Sequence, residues 1–133
     1  MSHSLVTTKR QTLAQVLICL GCYCGRTDRG KPAVPVDWLK AQWKQNQLLK
    51  SVQLTISGCL GPCDIANVVS IVTPWQTIWL GNLTEHAQYE ALYQWARNCA
   101  DAQRVLPLPE ALRAYEFERF AVPAPLTIGT AAD

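Results

Sequence analysis

Five of the six cysteines fall in two tight groups: Cys19, Cys22 and Cys24 in ICLGCYCG, and Cys59 and Cys63 in SGCLGPCD. Thiolates at such spacing bind soft metals or exchange disulfides. A reducing cytosol gives stapling disulfides no advantage, so clustered cysteines point to a metal or redox centre. A secreted, disulfide-stapled domain would instead be shorter, scatter its cysteines and follow a signal peptide, and Met1 to Arg10 carries no apolar signal stretch. The apolar run Val16 to Leu20 is far too short to span a bilayer, and no other segment approaches the required length. The expectation is a soluble, cytoplasmic protein with no membrane partner.

Other chemistries find little support. His3 lies near the terminus and His86 at the start of a helical segment, both remote in sequence from the cysteines, which argues against a Rieske-type site. No paired carboxylates, phosphate-cradling glycine loop or nucleophile-base set stands out, which weakens a hydrolase or transferase reading. Trp38, Trp43, Trp75 and Trp79 read as core or edge packing, given the apolar area each buries. Cys99, beside Trp95 and Ala96, reads as a buried thiol acting as a small hydrophobe.

The thiols need a scaffold, and 133 residues at 49% hydrophobic content suffice for one domain with its own core. The net charge of +2 calls for no nucleic-acid partner. Its distribution is uneven: residues 1–50 carry eight Lys or Arg against Asp28 and Asp37, and residues 51–133 carry four Arg against eight acids. This pattern suits an ordinary solvated surface, or a docking rim for an acidic redox partner.

Local patterns supply the elements. VLICL within Thr12 to Leu20 predicts a short buried strand ending at the first cysteines, and VQLTI (Val52 to Ile56) predicts a half-buried strand ending at the second group. Between them, Gly21, Gly25, Gly30, Pro32 and Pro35 punctuate a loop. Val36 to Leu49 then places Val36, Leu39, Trp43 and Gln47 or Leu48 on one helical face. Val68 to Val72 and Thr77 to Leu80 form a hairpin closed by Gly81. Thr84 is placed as the N-cap, with Glu85 in the first turn, of a second helix whose apolar face runs from Leu83 through Ala96 to Cys99. Pro107, Pro109, Pro123 and Pro125 bracket a short helical segment, Pro109 to Phe120, before an irregular tail. Leu112, Tyr115 and Phe120 give that segment apolar surface with which to dock. The domain is placed at residues 1–104, with a C-terminal extension over 105–133.

The order strand, helix, strand, strand, strand, helix predicts an α/β, thioredoxin-like fold: a mixed four-stranded sheet with two main helices plus the short C-terminal helical extension. The first two strand-end loops can lie side by side in such a sheet, so the two cysteine groups can converge.

With Cys19 and Cys24 as the first pair, the spacing is C-x4-C, 34 intervening residues, then C-x3-C at Cys59 and Cys63. The chain continues SGCLGPCDIANVVSIVTPWQTIWLGNLT. This resembles the thioredoxin-like 2Fe-2S ferredoxins, a family related to the small iron-sulfur subunit of the NADH-input module of respiratory complex I. The likeness covers roughly Val16 to Cys99, and it lies in the Gly-Cys-x3-Cys loop, the apolar strand, the turn, and the strand ending in an aromatic residue plus Gly.

The resemblance implies an electron carrier rather than a catalyst, with one 2Fe-2S cluster held by Cys59, Cys63 and two of Cys19, Cys22 and Cys24. Spacing favours Cys19 with Cys24 and leaves Cys22 as an alternative ligand or a free thiol. Backbone N–H groups at Gly58 and Gly61, and at Gly21 and Gly25 opposite, could approach the sulfides and tune the potential, although the same glycines also suit tight turns. The implied partners are a redox protein and, as for free-standing members of the family, a second copy in a homodimer. Two other readings stay open: a thiol-disulfide oxidoreductase using Cys19 and Cys22, and a zinc or other metal site. Against the first, Tyr23 to Pro35 separates the C-x-x-C from any helix and Cys59 and Cys63 stay unexplained; against the second, C-x3-C is a less usual zinc pairing than C-x2-C.

Overall fold

The computed structural model describes residues 4–122. Four strands, β1 (Ala14–Cys19), β2 (Val52–Ser57), β3 (Val69–Val72) and β4 (Thr77–Leu80), form one mixed sheet in the order β2-β1-β3-β4. β1 and β2 are parallel and in register from Ala14 opposite Val52 to Cys19 opposite Ser57, while β3 pairs antiparallel with both β1 and β4. The parallel pair follows from the crossover through α1 (Val36–Gln45), and the hairpin needs only a tight turn. The sequence therefore folds as the mixed four-stranded α/β sheet with two main helices that its element order predicts, compatible with a thioredoxin-like fold.

β1 is central, and its Val16 and Ile18 are fully buried. α1 packs Leu39 and Trp43 onto the sheet, and Trp43 Nε1 donates to Val52 O at 2.8 Å, so the burial of that large ring leaves its one polar atom satisfied. The helix stops at Gln45, short of the expected Leu49. Asn46 Nδ2 donates to Gln42 O, Gln47 adopts a left-handed φ of 52°, and the chain turns into a single 3-10 turn that buries Leu48.

The second long helix, α2 (His86–Ala102), starts one residue later than a Thr84 cap would place it. Glu85 is the N-cap in extended conformation, and Gln88 Oε1 accepts from the N–H groups of both Thr84 (2.7 Å) and Glu85 (2.9 Å). Its buried face carries Tyr89, Leu92, Trp95, Ala96 and Cys99, and Leu106 N donates to Cys99 Sγ at 3.3 Å.

The tryptophans divide. Trp43 is core, whereas Trp38 is half-buried with its ring edge-on to His86 and Tyr93, and Trp79 is half-buried on β4. Trp75 departs from the expected packing role. It sits in the β3–β4 turn with 76% of its surface exposed, because Thr73 Oγ1 accepts from the N–H groups of Trp75 and Gln76 and holds the turn out from the sheet.

The helix expected over Pro109 to Phe120 is cut to one turn, α3 (Glu110–Arg113). The chain then extends along β4. Gly81 N donates to Tyr115 O and Phe117 N to Trp79 O, each at 3.0 Å, and Glu116 bridges to Leu80. Pairing with an open strand edge satisfies backbone groups that a longer helix would have left on that edge. Leu108 and Leu112 are buried in the main core, and Leu112 is wholly inaccessible. Replacing Leu112 with alanine is therefore expected to cost about 2–5 kcal/mol, read from the urea midpoint. His3, Pro123, Pro125 and the irregular tail lie outside the described residues. No helix among the described residues is long and apolar enough to cross a membrane.

Candidate metal centre

Both cysteine loops leave the same end of the parallel pair. Cys19 is the last residue of β1 and still pairs, its N–H donating to Val68 O at 3.1 Å. A tight turn follows: Gly21 N donates to Cys24 O (3.0 Å) and Cys24 N to Gly21 O (2.9 Å). Cys22 stands at the tip of this turn with φ of 48° and is exposed, whereas Cys24 folds back and is buried. The second loop leaves β2 at Ser57, carries Cys59 exposed at its start, and enters a 3-10 turn at the half-buried Cys63, whose N–H donates to Gly61 O at 2.8 Å.

The sulfurs converge in two layers. At the surface, the Sγ atoms of Cys22, Cys59 and Cys63 all lie within 4.8 Å of one another, and those of Cys59 and Cys63 are 3.2 Å apart. Beneath them, Cys24 lies beside Cys19, and Leu60 N donates to Cys19 Sγ at 3.4 Å, tying the second loop to the first. All six cysteines are free thiols, and only Cys99 stands apart, on the buried face of α2.

Asn67 joins the two loops. Its fully buried side chain accepts from Gly25 N at 2.8 Å through Oδ1 and donates to Pro32 O at 2.9 Å through Nδ2, so the residue just past the second loop clamps the first. The sequence signal for this role is slight: one asparagine ahead of an apolar strand. Gly61 has φ of +117°, which favours glycine, and a β-carbon there would lie 2.5 Å from the end of the Arg119 side chain and displace it. The Cys59 pKa is lowered first by its contact with Cys63 and then by the Gly61 backbone. Gly58 has open space around it.

Protonation differs between the thiols. Cys24 is pushed up to about 12, first by burial and then by the neighbouring Cys19. Cys63 is pushed up to about 11, first by its hydrogen bond to Cys59, and the same contact lowers Cys59. Cys59 is thus the thiol most readily ionised in this pair, with Cys63 holding the shared proton.

Burial of Cys24 sets a pH dependence for the metal-free chain. An unfolded thiol loses its proton near 9, whereas folded Cys24 keeps it to about 12, so the folded state binds more protons between these values. The contribution of Cys24 to stability is expected to be complete below pH 9 and to fall as pH rises through that window, by up to about 1.4 kcal/mol per unit. Anaerobic urea titrations at pH 8, 9 and 10 check this. Metal affinity is expected to move the opposite way, because bound thiolates must shed their protons.

A second cleft, of about 530 Å³, is lined by Lys9, Arg10, Thr12, Lys50 and Gln53 at the opposite ends of β1 and β2 and holds no thiol. The cysteine site therefore offers an all-sulfur donor set on backbone-anchored loops, and the Cys22, Cys59 and Cys63 group could hold a metal ion. Comparison of the chain with protein-family models, with curated proteins and with solved structures found no match, so the case for its chemistry rests on these residues.

Proposed function

We propose that this protein is a thioredoxin-like 2Fe-2S ferredoxin: a one-electron carrier holding one cluster through Cys59, Cys63 and two of Cys19, Cys22 and Cys24, and exchanging electrons with a redox partner protein. The observation that carries the reading is the convergence of five thiols from two strand-end loops, with no histidine among them. Two ferric ions bridged by sulfide need four thiolates held firmly, and the donor set fits that need. The motif spacing favours Cys19 and Cys24 as the first pair, and the bond from Leu60 N to Cys19 Sγ suits a sulfur that carries negative charge. The geometry at the surface also keeps Cys22 as an alternative ligand. When bound, the cluster would take up and release single electrons. The chain's own residues would hold it, with Leu60 N donating to the Cys19 sulfur, and would set how much of it water reaches.

A zinc site is the second reading, favoured by the three surface thiols within 4.8 Å and a fourth thiol beneath them. Thiol-disulfide exchange by Cys19 and Cys22 draws less support, because Cys19 is 2% exposed and no helix begins at the motif.

Anaerobic purification with visible absorption, iron and acid-labile sulfide analysis, and EPR after dithionite reduction separates these. A brown protein with about two irons and two sulfides per chain and a rhombic signal on one-electron reduction is the expected result. A colourless zinc protein, or a metal-free protein with a reversible Cys19–Cys22 disulfide, would displace it.

A further inference from the structure

The segment after α3 does more than cover the edge of β4. It delivers Arg119 to the outer side of the second cysteine loop. The guanidinium carbon lies 5.4 Å from the Trp79 ring centroid and 5.7 Å from that of Phe120, within cation–π range of both rings. From there one terminal nitrogen reaches Leu60 O at 3.5 Å, and the group fills the space beside the Gly61 α-carbon. Leu60 is the residue whose N–H donates to Cys19 Sγ, and Leu60 and Gly61 both lie between Cys59 and Cys63. The Arg119 Nε is buried and has no hydrogen-bond partner among the described residues, while the side chain as a whole is half-buried.

We infer that Arg119 is a positioning residue for the metal centre: it holds the Cys59–Cys63 loop closed from outside and places a fixed positive charge at the rim of the group the thiols bind. The electrostatic half of this role rests on the iron-sulfur reading; the loop-closing half does not. Reduction adds one negative charge to a bound cluster, and a nearby guanidinium stabilises the reduced form more than the oxidised one. Arg119 therefore raises the reduction potential. Lysine keeps the charge but loses the planar fork of donors, so the two contributions can be separated.

The test compares the wild-type full chain with Arg119→Met and Arg119→Lys, with circular dichroism confirming that each variant folds. In the metal-free proteins, amide hydrogen exchange over residues 58–64 is expected to quicken at least several-fold in both variants. Unchanged exchange in Arg119→Met would overturn the inference, whatever group the chain binds. In the reconstituted proteins, a mediated dithionite titration is expected to show a more negative potential for Arg119→Met, by at least a threefold change in the reduction equilibrium, about 28 mV at 59 mV per tenfold for one electron. Arg119→Lys is expected to stay closer to wild type. Faster exchange with an unmoved potential would overturn the electrostatic half. If the wild-type chain takes up no cluster, the iron-sulfur reading fails and the electrostatic half with it, while the exchange result still decides the loop-closing half.

Discussion

Replacing Cys59 with serine is expected to abolish stable metal loading, whereas Cys99→Ser leaves it intact. Cys59 stands where the surface thiols meet: its sulfur is 3.2 Å from that of Cys63 and within 4.8 Å of that of Cys22, and its pKa is lowered by the Cys63 contact. Within the Cys59–Cys63 pair it is the thiol readier to bind as a thiolate. Four-ligand structural zinc sites reach about 10–16 kcal/mol in apparent binding, so one thiolate in four carries about 3 kcal/mol, or more than a hundredfold in affinity. Metal content after desalting and the visible spectrum both report this loss. Parallel Cys22→Ser and Cys24→Ser variants assign the remaining places. If Cys19 and Cys24 complete the set, Cys24→Ser loses the metal and Cys22→Ser keeps it; the reverse result gives the place to Cys22.

The second large effect is expected from Asn67→Ala. That side chain satisfies the Gly25 N–H and the Pro32 carbonyl, and its loss leaves both without their partner in a part-buried setting. An unsatisfied buried group costs about 1–3 kcal/mol, and partial exposure puts each at the low end, so the sum is about 2–4 kcal/mol. Urea unfolding of the metal-free protein measures that cost. Beyond stability, the Cys22–Cys24 turn loses its anchor to the segment after Cys63, so metal release to a chelator is expected to quicken in this variant although every thiol is retained. An unaltered release rate would show that the backbone turn at Gly21–Cys24 positions the first group unaided.

The parts of the fold visible in the sequence are those set by short-range pattern. VLICL and VVSIV are apolar runs and VQLTI an alternating one, all too short for helices, and each became a strand within a residue or two of its expected limits. Cys19, Cys59 and Cys63 could be placed near strand ends for the same reason. What escaped was decided by contacts between distant segments. α3 looked longer because the pairing of residues 115–117 with β4 cannot be read from local propensity. The clamp by Asn67 depends on two partners that lie 42 and 35 positions away. Cys22 joins Cys59 and Cys63 at the surface because the turn at Gly21–Cys24 throws it outward at positive φ, whereas spacing alone marks it as the odd thiol of three. Arg119 carries no motif, and its place is set by how the segment after α3 lies on β4.

The contact between Leu60 N and Cys19 Sγ joins residues 41 positions apart in the chain. Any group gripped by sulfurs of both loops would act there as a cross-link, closing a circuit that runs from the end of β1 through α1 and β2. Closing a loop of that length removes conformational entropy from the unfolded chain, worth about 4 kcal/mol by chain-entropy arithmetic for a covalent tie. The bound group and the parallel strand pair are therefore thermodynamically linked. Stripping such a group would loosen the strands, and loosening the strands would release it.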